Sequence, residues 1–219
     1  MITAPKKKLL LIGGGGHCHS VLDSAMRTGK YTEIGIIDKD IRTACLGITV
    51  IGRDEDLPKL LKEGWSDAFV TVGSVGDTAL RRRLYAMIKA LGFTIPMVID
   101  PSAELAKDVQ LSRGTFVGKH AVINSGTVIG ECAIINTGAI VEHDCIIGKF
   151  SHVSPGTVLC GQVVVGNDSH VGAGSVVRQG IEIGERSIVG VGSVVVKKIP
   201  DDVIAYGNPC KIMKRLSNQ

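Results

Sequence analysis

Hydrophobic positions along this chain follow two different periods, and the change falls near residue 100. In the first hundred residues short apolar runs alternate with stretches of helical spacing. The run Leu9, Leu10, Leu11, Ile12 reads as a buried strand that ends in Gly13-Gly14-Gly15-Gly16. A helix is expected from about His17 to Thr28, stopped by Gly29. Strands over 34–37, 68–72 and 94–99 and a helix over 77–91 complete an order of the βαβ type, which predicts a small parallel sheet covered by helices.

After Asp100 the period becomes six. Every sixth residue from Leu105 and Leu111 to Val189 and Val195 is Leu, Ile or Val, sixteen in succession. Random placement would give that run on the order of once in tens of millions of trials, so the repeat is a structural one. Two places ahead of most of these residues stands a small side chain, as at Thr115, Ala121, Ala133, Ala139 and Ser151, and glycine often follows them. A unit of this kind makes one short strand and one turn, three units close a triangular coil, and residues three repeats apart stack at a strand spacing of about 4.8 Å. The expected architecture is an α/β, Rossmann-like domain over 1–100 followed by a left-handed parallel β-helix of hexapeptide repeats over 101–199, without a large extruded loop. Residues 200–219 break the period with Pro200 and Pro209 and read as a cap, with a short helix in the tail.

Composition narrows the function. Aromatic residues are 4% of the chain while glycine reaches 28 residues, which suits narrow, tightly turned strands. The formal charge is +4, but the basic residues are dispersed and no aromatic platform accompanies them, so nucleic-acid binding is excluded. Lys6, Lys7 and Lys8 read as a solvated lead-in to the first strand, and Lys197, Lys198, Lys211, Lys214 and Arg215 as a basic group suited to a phosphate-rich cofactor. Six dispersed cysteines without a CxxC pair, no signal peptide and no apolar run near the roughly 20 residues of a membrane span point to a reduced, cytoplasmic protein without membrane insertion.

The chemistry-bearing residues fall in both halves. His143 follows the buried Val141 by two places, so it projects from the coil, and Gly161, three repeats on, leaves open space above it. A histidine beside a carboxylate is oriented to take a proton from an attacking amine or hydroxyl. Asp144 and Glu142 both qualify as that carboxylate by spacing. His152 and His170 recur three repeats apart and should stack; with no third ligand they make no metal site. Cys132 and Cys145 are read as buried small residues of the repeat, not nucleophiles. The loop from Gly13 to His17 joins strand to helix, where free N–H groups hold phosphates. Cys18 stands where a dinucleotide fingerprint needs its third glycine, leaving either a nucleotide or nucleotide-sugar site with Asp38 placed for ribose or base, or a tight strand-to-helix turn that holds no ligand.

From the Leu-Ile-Gly-Gly-Gly-Gly-His segment ending at His17, through Val-Glu-His-Asp-Cys at 141–145, to Gly-Asn-Pro-Cys-Lys at 207–211, the chain resembles bacterial sugar O- and N-acyltransferases. These include the sialic acid O-acetyltransferase and UDP-4-amino-sugar N-acetyltransferase types. The resemblance implies a homotrimer with sites between neighbouring prisms, acetyl-CoA laid along the coil, His143 as general base and Asp144 raising its basicity. It implies that His152, Gly161, Ala173 and Val191 contact acetyl-CoA. Gly15, Gly16, His17, Asp38, Lys39 and Gly73 would meet the nucleotide sugar, with Asn136 and Glu142 also on the substrate side. Rival readings are transfer to a non-sugar acceptor such as serine and a non-catalytic β-helix that binds nucleotide through the glycine loop.

Overall fold

The computed structural model describes residues 7–40 and 44–216, and these form two compact units. Unit 1 comprises residues up to Gly73 together with Ala79–Pro101; unit 2 comprises Ser74–Thr78 and the chain from Ser102 onward.

Unit 1 is built on β1 (Lys7–Ile12), α1 (Gly16–Thr28), β2 (Tyr31–Ile37), β3 (Ala44–Cys45), β4 (Ile48–Gly52), α2 (Leu57–Lys62), β5 (Asp67–Val70), α3 (Ala79–Ala90) and β6 (Val98–Ile99). The sheet order is β3-β4-β2-β1-β5, parallel except for the β3–β4 hairpin. Strand β1 lies between two neighbours, and Leu9 to Ile12 are therefore buried. Helix α1 begins at the glycine loop and ends at Gly29, which takes the left-handed cap conformation at φ 64°. Its buried stripe of Cys18, Val21, Leu22 and Ala25 follows the helical period. At its other end Asp100, fully buried, accepts from Ser24 Oγ at 2.7 Å and from Arg27 Nη1 at 2.9 Å.

Several expectations change here. The hairpin of β3 and β4 and helix α2 were not legible as periodic segments. The strand expected over 94–99 shrinks to β6, with Thr94 making an isolated bridge to Asp67. Lys7 and Lys8 are the first residues of β1, not a lead-in; Lys8 pairs with Glu33 at 2.9 Å. Lys6 lies outside the described residues.

Unit 2 is the left-handed parallel β-helix that the six-residue period demands. Two-residue strands recur from Glu104–Leu105 to Val194–Val195, one every six residues without interruption. They stack on three faces, each strand pairing in parallel with its counterpart in the next coil, as Val122 with Ile140 and Ile134 with His152. Face A runs from Glu104–Leu105 through Ile140–Val141 to Val194–Val195, face B from Gln110–Leu111 through Ile146–Ile147 to Glu182–Ile183, and face C from Phe116–Val117 through His152–Val153 to Ile188–Val189. Fourteen of the sixteen aliphatic positions are buried; Leu105 and Leu111, in the first coil, are half-buried.

The corners show a feature the apolar pattern does not state. Every sixth residue from Gly114 to Gly192 has positive φ, seven of them glycine and seven not, including Cys132 at 57°, Asp144 at 57° and Gln162 at 61°. One left-handed residue per corner turns the chain and returns the next small side chain inward. Cys132 is buried as expected, but it occupies a corner and Ala133 the small-residue position, which corrects its place in the repeat. The tail is not helical: Lys211–Arg215 is a strand, antiparallel to Val203–Tyr206, which extends face C.

Candidate active site

His143 and Asp144 sit on the corner between faces A and B, in the turn from Ile140–Val141 to Ile146–Ile147. Val141 and Cys145 are fully buried on either side, so the intervening residues must project outward. The His143 and Asp144 side chains are 49% and 58% exposed. Nδ1 of His143 lies 2.9 Å from Oδ2 of Asp144. The carboxylate accepts from Nδ1–H, which in the neutral ring puts the lone pair on Nε2, and Nε2 makes no hydrogen bond among the described residues. Glu142 leaves its side chain out of this pair; its carbonyl accepts from Thr127 Oγ1 at 3.0 Å.

Gly161 is directly above, but the space there is taken by the imidazole itself. A Cβ on Gly161 would stand 2.5 Å from Nε2 and 2.6 Å from Cε1 of His143. The backbone of Gly161 is not left-handed, so alanine is sterically admissible apart from the ring. Gly161→Ala is expected to displace the His143 ring and lower kcat about 10- to 100-fold, on the scale of an ångström's misplacement, while the thermal midpoint moves by a few degrees. Unaltered kcat in steady-state assays would show that turnover does not depend on the position of this ring.

His152 and His170 are paired in register on face C, with ring centroids 4.9 Å apart in an edge-on arrangement. The Thr137 N–H donates to Asn136 Oδ1 at 2.8 Å, which turns the Asn136 amide nitrogen towards His152 Nε2 at 3.1 Å. His152 Nδ1–H then donates to the Ser74 carbonyl at 3.2 Å. Both ring nitrogens of His152 are engaged within the unit, holding the Ser74–Thr78 segment on face C, where Thr78 also bonds Asp168. His170 is buried, its Nδ1 without a partner, and burial pushes its imidazole towards the neutral form. Ala173 and Val191 are on the corner between faces C and A, Val191 75% exposed. One prism therefore groups Glu142, His143, Asp144 and Gly161 on one edge, Ala173 and Val191 on another with Asn136, and His152 on face C beside it. No group of three or more His, Cys, Asp or Glu residues able to hold a metal occurs among the described residues.

In unit 1 the glycine loop is held from below. Asp38 Oδ2 accepts from the Gly14 N–H at 2.6 Å and Oδ1 from the Asp40 N–H at 3.0 Å, so this carboxylate organises the loop. Gly15 and Gly16 are exposed, and a Cβ on either would meet nothing within 4 Å. The N-cap Gly15 has no side-chain cap and the first turn of α1 no acidic residue, which leaves N–H groups and the positive end of the helix dipole facing outward. His17 and Gly73 adjoin, the His17 Cβ standing 3.5 Å from where a Gly73 Cβ would be, and Lys39 is exposed at the end of β2. Cys18 packs beneath the loop, where burial pushes its thiol up to about 12 and removes it as a nucleophile at neutral pH.

The PglD N-terminal domain family matches residues 8–88. Over most of its length the chain is similar to perosamine N-acetyltransferase from Caulobacter crescentus, solved as a histidine-to-asparagine mutant in complex with CoA and GDP-perosamine. That similarity is 40% identity over 96% of this chain and 98% of that one, with a TM-score of 0.90. It is also similar to the acetyltransferase domain of PglB from Neisseria gonorrhoeae, solved with acetyl coenzyme A, at 35% identity over 95% of this chain and 100% of that one, TM-score 0.89. The chain belongs to the sugar acyltransferases of the hexapeptide-repeat superfamily. WeeI from Acinetobacter baumannii shares the fold at 21% identity over 94% of this chain and 100% of that one, TM-score 0.84. Within this acyltransferase no described helix is long and apolar enough to cross a membrane. Sequence reasoning missed the Ser74 contact of His152 and the corner residues beneath Asp144. The glycines of the corner phase, Gly114, Gly126, Gly138 and Gly156, were the available signal for the latter.

Proposed function

We propose that this acyltransferase moves the acetyl group of acetyl-CoA to an amino group of a nucleotide-activated sugar, with His143 as general base. The carrying observation is the His143–Asp144 pair: one ring nitrogen is held by a carboxylate and the other, bearing the lone pair, is unbonded at an exposed corner. As the acceptor nitrogen attacks the thioester carbonyl, Nε2 takes its proton. When the C–S bond breaks, the imidazolium returns a proton to the departing thiolate. The Gly161 N–H, which makes no hydrogen bond among the described residues, is suited to stabilise the oxyanion. The Caulobacter and Neisseria relatives, which bind CoA with GDP-perosamine and acetyl coenzyme A, support the two substrates.

Gly15, Gly16 and His17 at the start of α1 would receive the phosphates, with Lys39 and Gly73 alongside; Asp38 serves by holding the loop and through its remaining lone pairs. Asn136 and Glu142 stay on the acceptor side. Ala173 and Val191 would offer acetyl-CoA their backbone, and His152, whose nitrogens are occupied, would offer it a ring surface. These residues and His143 stand on different edges of one prism, which supports a homotrimer whose sites take an edge from each of two copies. Outward apolar residues flank the His143 corner on both faces: Val122, Ile140, Val158 and Val176 on face A, Val128 and Ile146 on face B.

The test is a thiol-release assay with acetyl-CoA and a panel of GDP- and UDP-linked amino sugars, sialic acid and serine. Turnover with a nucleotide amino sugar, and much less with sialic acid or serine, is the expected result. Turnover confined to serine would remove the sugar from the proposal, and no acetyl-CoA binding by calorimetry would leave a nucleotide-binding scaffold.

A further inference from the structure

The corner that carries His143 continues downward through two coils. In the register of the coils Asp144 stands over Gly126, which stands over Asp108. Asp108 Oδ2 accepts from Ser125 Oγ at 2.7 Å and from the Gly126 N–H at 3.1 Å, tying down the Ser125-Gly126 turn. The Ser125 carbonyl accepts the Asp144 N–H at 2.9 Å. Oδ1 of Asp144 lies where a Gly126 side chain would begin. Its other oxygen, Oδ2, is the one that meets His143 Nδ1. Above the pair, the Gln162 N–H donates to the His143 carbonyl at 2.8 Å and Gly161 lies against the ring.

Glycine at 126 is not demanded by the corner. Half of the left-handed corners carry a side chain, so the backbone there accepts one at a cost of about 1 kcal/mol. What distinguishes Gly126 is its neighbour. At Gly180, on the same corner at φ 68°, a Cβ would meet nothing within 4 Å; at Gly126 it would meet the Asp144 carboxylate.

We infer that Asp108, Ser125 and Gly126 form a positioning element for the base: a turn pinned from below whose missing side chain seats the Asp144 carboxylate so that it bonds Nδ1 of His143 and leaves Nε2 to receive the proton. The inference rests on the reading of His143 as the base. Free neutral imidazole favours the proton on Nε2, so the Nδ1–H form is the signature of a seated carboxylate. The other ionisable groups of this corner are Glu142 and the buried Cys145 in the same turn, Lys107 two coils below, Cys160 and Arg178 one and two coils above, and Lys197 and Lys198 three coils above.

The test is nitrogen NMR of histidine-labelled protein, with the His143 signals assigned by their loss in His143→Ala. The wild type should show Nδ1–H. Gly126→Ala should move the population towards Nε2–H and lower kcat about 10-fold with little change in KM. Asp108→Ala should shift the population the same way by a smaller amount and carries the test if Gly126→Ala does not fold. Gly180→Ala, equal in backbone strain, should alter neither readout. In an Asp144→Ala background Gly126→Ala should cost nothing further, because the carboxylate it displaces is gone. An unchanged tautomer in both Gly126→Ala and Asp108→Ala, or an equal loss from Gly126→Ala with and without Asp144, overturns the positioning role. The tautomer is read without turnover, so that outcome is distinct from an active His143→Ala enzyme, which overturns the base.

Discussion

His143→Ala is expected to lower kcat by about 10²- to 10⁴-fold, the range that loss of a positioned general base produces, with the fold and assembly size unchanged. The second half of this expectation follows from where the side chain stands. It is half exposed and projects from a corner, and its packing neighbours are a glycine and the adjacent aspartate. The corner backbone survives the change, because the Asp144 N–H still reaches the Ser125 carbonyl and the Gln162 N–H the His143 carbonyl. On the proposed mechanism the loss should appear in kcat, since the proton the ring would take moves only as the acceptor attacks. A purified variant with near wild-type thiol release would remove His143 from the role of base.

Val153→Asp is expected to abolish cooperative folding. Val153 is fully buried and stacks between Ile135 and Val171 in the interior column. A carboxylate there has no partner and displaces aliphatic contacts in two neighbouring coils, a loss above about 4 kcal/mol against a total stability of about 5–15 kcal/mol. Circular dichroism should show no sharp thermal transition; a melt within a few degrees of wild type would mean that the column is not the core. The same substitution at Val176, 40% exposed on the outer side of face A, should leave the melt of the prism intact and, in the proposed trimer, shift light-scattering mass towards monomer. The contrast is a matter of parity, because neighbouring residues of a strand point to opposite sides.

The β-helix was legible in the sequence because its cause is local. Six residues make one strand and one turn whatever the coil above contains, so Leu105 to Val195 reports the fold directly, and stacking of every third repeat follows from three strands per coil. The glycine loop and helix α1 were legible for a similar reason: an apolar run, a glycine string and a stop at Gly29 lie within one stretch of chain. His143 was marked by its phase relative to Val141. What the sequence left open was decided by hydrogen bonds between coils and between segments distant in the chain. Asp144 rather than Glu142 bonds His143 because the left-handed turn at 144 aims its carboxylate along the corner, and Gly126, one coil earlier, makes room for it. Asp38 became the holder of the glycine loop because Gly14, 24 residues away, brings an N–H to it. His152 is engaged by Ser74, 78 residues away, a partner no periodicity could supply. The tail is a strand because the edge left by Val203–Tyr206 has backbone groups to pair, a need that outweighs the weak helical spacing of Lys211–Arg215. The six-residue period determined the prism and the corner on which His143 stands; which groups hold its ring came only from contacts the folded coils create.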